Sequence, residues 1–108
     1  MSSYNGSLVW FAFVCADRVS GILASAVGEF DLADGHFSDA IAFCRKAGYR
    51  PELAWTCYDY ADALRARAGE GDRVKAISLL DESLTISSEL GMRPLLERVL
   101  SRREILGD

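Results

Sequence analysis

The sequence predicts an all-α chain of about five helices, folded as antiparallel helix-turn-helix pairs. Three observations carry this. First, Gly48-Tyr49-Arg50-Pro51-Glu52-Leu53 returns 43 residues later as Gly91-Met92-Arg93-Pro94-Leu95-Leu96, and the offset extends backwards. Gly28 matches Gly71, Ala33 matches Ala76, Phe37 matches Leu80, Ala40 matches Ser83 and Ile41 matches Leu84. Self-similarity at a few tens of residues marks a protein built of stacked repeats. Second, apolar residues recur at three- and four-residue spacing, and no Val/Ile/Thr-rich alternation competes as a strand. Third, glycines close the periodic stretches and prolines open the next ones.

Residues 1–7 (MSSYNGS) are polar and read as a flexible N-terminus; residues 8–108 read as one helical domain. Ser7 is the expected cap of a first helix from Leu8 to Val27, because its hydroxyl can accept from an unpaired first-turn N–H. Through Ala16 this helix is apolar on nearly every side, so it is buried on several faces or meets a partner. Asp31 is the expected cap of a second helix ending at Ala47, with Phe30, Ala33, Phe37, Ala40, Ile41 and Cys44 as its stripe. Arg45 and Lys46 in its last turn favour the negative end of the macrodipole. Pro51 opens a third helix, to Ala68. Asp72 caps a fourth, to Leu90, with Val74, Ile77, Leu80, Leu84 and Ile86 facing inward. Pro94 opens a fifth, to Leu106.

Half of the 108 residues are apolar and 26% are charged, which fits a soluble globular chain and not a disordered one. The net charge of −4 is interspersed in sign, and nucleic-acid binding would need a basic stripe. Leu8–Ala16 is too short to span a membrane, since Asp17-Arg18 interrupts it and a span needs about 20 apolar residues. It also lacks the basic flank of a signal peptide. Cys15, Cys44 and Cys57 are odd in number and lack CxxC spacing, so neither a disulfide framework nor a zinc site is expected. They read as small hydrophobes in a reducing, cytoplasmic setting.

Gly21, Ala33, Phe37 and Ala40 together resemble the small–small–aromatic–small pattern of a tetratricopeptide repeat, a helix-turn-helix unit of about 34 residues. The resemblance implies an α-solenoid fragment in which Gly21 and Ala33 are close contacts and Phe37 fills the gap to the next repeat. The second unit keeps Ala76, Leu80 and Ser83 but has a longer period and loop. The phrases HFSDAIAFCRKAGYRPELAWTCYDYADAL and AISLLDESLTISSELGMRPLLERVLSRREIL resemble, more specifically, divergent repeats near the C-termini of bacterial signalling ATPases with nucleotide-cyclase or LuxR-like regulator domains. In that family such repeats serve protein contacts and regulation. The chain itself has no GxxxxGK[ST] and no helix-turn-helix DNA-binding signature.

No catalytic constellation emerges, and no cofactor or metal is expected. His36 is the lone histidine, and a catalytic imidazole needs an orienting carboxylate and a nucleophile or metal. Trp55, Asp59 and Asp62 share one face of the third helix at i, i+4 and i+7. Their equivalents at the 43-residue offset are Arg98, Arg102 and Ile105. An acidic stripe beside a basic one offers either inter-helix ion pairs or a groove for a peptide, with Trp55, Asp59, Asp62, Arg98 and Arg102 as candidate contacts. The fifth helix carries more apolar residues than one contact stripe needs. It is therefore either a solvent cap or, with the first helix, an oligomer interface through Trp10, Phe11, Leu95, Val99 and Leu106. The expected function is a non-enzymatic protein-interaction or homodimeric self-assembly module, with a small-molecule or peptide sensor as the alternative.

Overall fold

The computed structural model describes residues 15–107. The proposed Ser7 cap and residues 8–14, with the candidate interface residues Trp10 and Phe11, lie outside the described residues. Within them the chain is all-α: α1 (residues 15–26), α2 (Phe30–Ala47), α3 (Arg50–Arg67), α4 (Asp72–Leu90) and α5 (Arg93–Gly107). Turns of two to four residues fold each helix back on the one before. Helix α3 packs against α2, α4 and α5, and α1 is tied to α2 and α3. Helix α3 is therefore the element that each of the other four touches.

The two turns written by the repeated motif are built alike. Gly48 and Gly91 both take the left-handed conformation, at φ 76° and 68°. The next residue then donates its N–H back into the finished helix, Tyr49 to the Cys44 carbonyl at 3.0 Å and Met92 to the Ser87 carbonyl at 2.8 Å. Arg50 bonds the Gly48 carbonyl and Arg93 the Gly91 carbonyl, each at 2.9 Å. A left-handed residue after the last helical turn satisfies carbonyls that would otherwise lack donors, and glycine reaches it without strain. Pro51 then sits in the first turn of α3, where no N–H is missed.

The expected caps need correction. Helix α2 begins at Phe30 with Glu29 at the cap position, and Asp31 lies inside the first turn, where it faces the positive end of the helix dipole. Helix α4 begins at Asp72 itself, behind Gly71 at φ 82°. The Asp72 carboxylate turns back to the preceding loop, accepting from the Gly69 N–H at 2.9 Å and from Arg67 at 2.7 and 2.8 Å.

The buried face of α2 is the expected one, Ala33, Phe37, Ala40, Ile41 and Cys44, with Phe30 only half covered. On α4 the inward face is rotated from the expected stripe. Val74 is 71% exposed, and the buried set is Asp72, Ala76, Leu79, Leu80, Ser83, Ile86 and Ser87. Two serines hold that face because their hydroxyls are satisfied inside the fold. Ser83 donates to the Ala54 carbonyl of α3 at 2.8 Å, and Ser87 to the Ser83 carbonyl at 2.7 Å. A buried hydroxyl with a partner costs little, whereas one without would be expensive.

Phe37 is fully buried and stacks on Tyr60 of α3 with ring centroids 5.1 Å apart. Its ring also fills the space in front of Gly21, where a Cβ would stand 2.9 Å from the ring edge. The close neighbour of Gly21 is thus the filler Phe37 itself. In the second unit the equivalents are Leu64 and Leu80, both buried, so the bulk is shared between two helices instead of resting on one ring.

Candidate functional site

The surface that unites the expected residues is the exposed side of α3 and α5, with α1 at its edge. Helix α3 contributes the half-buried Trp55 and the buried Tyr58, edge to face with centroids 6.3 Å apart. Spacing of three along a helix puts both rings on neighbouring lines of one surface. From α5, Arg98 lies over the Trp55 indole, its guanidinium carbon 5.7 Å from the ring centroid. Arg102 lies over Tyr58 at 5.9 Å and donates from Nε to Asp62 at 2.8 Å. Two cation–π contacts of about 0.5–1 kcal/mol each, at a partly wet surface, fix the direction of both guanidinium groups. The hydrogen bond to Asp62 raises the Arg102 pKa further, despite partial burial. Tyr58, Pro94, Glu97, Arg98, Ser101 and Arg102 line a shallow cleft of about 510 Å³.

Four of the five expected groove residues therefore meet, as Trp55 with Arg98 and Asp62 with Arg102. Asp59 does not join them. It turns toward α1 and accepts from Arg18 at 2.8 Å, while the Arg18 Nε binds Glu52 at 2.6 Å. Burial raises the Asp59 pKa, and the Arg18 guanidinium only partly offsets it. For Arg18 the order reverses: burial works against its charge, but the carboxylates of Asp59 and Glu52 prevail and hold it protonated. This triad was not singled out from the sequence. A signal was present, because the equivalent of Glu52 is Leu95, which marks the position as an interior one.

The expected interface residues of α5 face inward. Leu95 and Val99 are fully buried in the chain's own core, and Leu106 packs half-buried against it. They fill the space between α5 and its neighbours and are closed to a second molecule. The large apolar side chains that α5 leaves exposed are Leu100 and Ile105.

Other chemistry-bearing groups are held in structural roles. His36 is half-buried, its Nδ1 3.1 Å from Asp17 Oδ1. Cys44 and Cys57 are fully buried, and burial is the main reason the Cys44 thiol is pushed up to about 12 and that of Cys57 higher still. Thiols so protonated are poor nucleophiles. Arg67 spans Asp72 and Asp34, and Asp34 also accepts from the Tyr60 hydroxyl at 2.9 Å, so the α3–α4 loop is pinned to α2. Beside Tyr60, Ser38, Ile41, Arg45, Lys75 and Leu79 line a cavity of about 340 Å³ between α2 and α4. Among the described residues no group of three or more His, Cys, Asp or Glu is placed to hold a metal ion. No described helix is long and apolar enough to cross a membrane.

Comparison with family models, with curated proteins and with solved structures finds no match to this chain. The functional reading therefore rests on the site itself.

Proposed function

We propose that the chain is a non-catalytic helical-repeat module that holds a protein partner along the exposed side of α3 and α5. The observation that carries this is the stacking of Arg98 on Trp55, residues at equivalent positions of successive repeats. Arg98 is exposed and, among the described residues, has no carboxylate partner, so its donors are oriented yet unspent. Tyr58, Arg98 and Arg102 line one shallow cleft and Trp55 lies under Arg98 beside it, and tryptophan, tyrosine and arginine are the residue types that dominate protein-binding energy. The tetratricopeptide-like reading is supported by the like-built turns at Gly48 and Gly91 and by the Phe37 filler. A place in a bacterial signalling system belongs to the same proposal and comes from the family resemblance, and a cytoplasmic setting comes from the free cysteines. Homodimeric self-assembly is part of it too.

The test is selection of peptides from a displayed library on the immobilised chain, followed by affinity measurement with Trp55→Ala and Arg98→Ala. Loss of one interface hot spot costs more than about 1 kcal/mol, so each variant should weaken the selected peptides about fivefold or more. Peptides that bind both variants as tightly as the parent would overturn the groove.

A second reading is a small-molecule sensor, favoured by the cavity between α2 and α4. Its volume of about 340 Å³ is large enough for a small ligand. Ile41 and Leu79 offer apolar walls, and Ser38 and Lys75 offer polar contacts. Thermal-shift screening of small carboxylates and polar metabolites, with Lys75→Ala as the control, tests it; no stabilisation by any of them counts against it.

A further inference from the structure

The two repeats finish one inter-helix corner differently. In the second unit, Arg103 of α5 donates from Nε to Asp81 of α4 at 2.9 Å, so cation and carboxylate close on each other. At the 43-residue offset their equivalents in the first unit are Tyr60 and Ser38. The first unit therefore has no carboxylate of its own at that place, yet a cation stands beside it. Lys75 of α4 donates to the Tyr60 hydroxyl at 2.9 Å and lies over the ring, 4.8 Å from its centroid. An ammonium has three donors, and among the described residues Lys75 makes no hydrogen bond or salt bridge to a carboxylate. The Ser38 and Ser78 hydroxyls line the same cavity and have no hydrogen-bond partner among the described residues. The neighbouring charges are already spent. Arg45 holds Glu82 through hydrogen bonds of 2.5 and 3.3 Å, and Asp34, which accepts from Tyr60, is held by Arg67. That leaves the Lys75 charge uncompensated in the lining.

We propose that the cavity between α2 and α4 takes a small monocarboxylate with an apolar tail, its carboxylate on Lys75 and Ser38, where the second unit carries Asp81. The proposal rests on the small-molecule reading of the same cavity and names the class of ligand. A carboxylate accepts from an ammonium and a hydroxyl together, and such charge-assisted bonds are the strong ones. The tail lies against Ile41 and Leu79, one turn further along their helices than Ser38 and Lys75. One more turn on, Arg45 and Glu82 satisfy each other, so a dicarboxylate finds no second unpaired cation there. An amine would meet Lys75 as a like charge. The volume of about 340 Å³ is at the low end for ligand pockets, which limits the tail to a short aliphatic chain or a single ring.

The test is titration calorimetry of the full chain with hexanoate and phenylacetate, and with hexylamine and hexanol as controls, on the parent, Lys75→Met and Ser38→Asp. Ser38→Asp installs the residue that the second unit carries, so its carboxylate should pair with Lys75 and occupy the ligand's place. The parent should bind both carboxylates and neither control. Each variant should weaken the carboxylates about tenfold or more, as loss of a hydrogen bond to a charged group does. Ser38→Asp should also keep or raise the melting temperature, which separates a closed site from an unfolded chain. Unchanged affinity in either variant puts the carboxylate elsewhere and overturns the proposal. Binding of hexylamine or hexanol in place of the carboxylates overturns it too, but leaves the small-molecule reading standing. No binding by any of the four overturns the proposal, and the small-molecule reading then stands or falls on the wider thermal-shift screen.

Discussion

Phe37 occupies the volume that a side chain on Gly21 would need, with ring atoms 2.9 Å from the position of an added Cβ. Alanine is the better helix former by about 1 kcal/mol, so an exposed Gly21→Ala would stabilise α1. Here the ring cannot withdraw, since it is fully buried against Tyr60. Overpacking of a tight core costs about 1–3 kcal/mol and outweighs the propensity gain. Gly21→Ala should therefore lower the melting temperature, and the smaller side chain of Phe37→Leu should relieve part of the clash. In a double-mutant cycle the pair should be less destabilised than the sum of the singles; additive effects would show that the contact does not matter.

Ala68 ends α3 at φ 55°, the one described non-glycine residue with a positive φ. An alanine there bears about 1–2 kcal/mol of strain, which glycine avoids. Glycine also loses more freedom on folding, which takes back part of the gain. Ala68→Gly should stabilise by about 0.5–1 kcal/mol, read as a higher denaturant midpoint with an unchanged slope. A lower midpoint would mean that the alanine methyl makes a contact worth more than the strain.

How much of this was legible in the sequence depended on which signal was read. The repeat aligned Ala76 with Ala33, Leu80 with Phe37 and Ser83 with Ala40, and all six are buried. Apolar periodicity alone chose Val74 and missed Ser83 and Ser87, because it could not see the carbonyls that satisfy their hydroxyls. For the site, the repeat placed Arg98 beside Trp55 but left Asp59 facing Arg102. Its actual partner, Arg18, comes from α1, where the repeat has no earlier copy to consult. Likewise Leu95 and Val99 looked like surplus apolar residues, since nothing in one helix tells how many neighbours will cover it.

The Asp72 carboxyl is held down to about 2, first by its hydrogen bonds to Arg67 and then by the Gly69 N–H, against some opposing burial. Its folded pKa lies below the unfolded value, so the native state binds this proton less readily than the unfolded chain. The stability it contributes is therefore complete above about pH 4 and is lost as the pH falls toward about 2. Urea unfolding across that window should show a steep fall for the parent and a flatter one for Asp72→Asn, which has already lost the interaction. Parallel profiles would mean that the clamp between Arg67 and the α3–α4 loop contributes nothing to folding.

Arg18 joins α1 to α3 by neutralising two largely buried carboxylates, Glu52 and Asp59. Removing it leaves both charges without their cation, and breaking a buried pair from one side costs about 3–5 kcal/mol. Arg18→Met keeps the packing of the stem and should still destabilise by about 3 kcal/mol near neutral pH. The linkage sign is opposite to that of Asp72. Burial raises the Asp59 carboxyl even beside the guanidinium, and without that opposing cation the rise is greater, so the variant regains stability as Asp59 protonates. The gap between variant and parent should narrow from about pH 7 to about pH 4. The second repeat suggests the remedy, since Leu95 stands where Glu52 does. Arg18→Met with Glu52→Leu removes the cation together with the more buried carboxylate and should recover most of the loss, because apolar replacements of buried ion pairs are often neutral or better. If the double variant is no more stable than Arg18→Met, Asp59 alone sets the cost, and Asp59→Asn on the same background should then restore it.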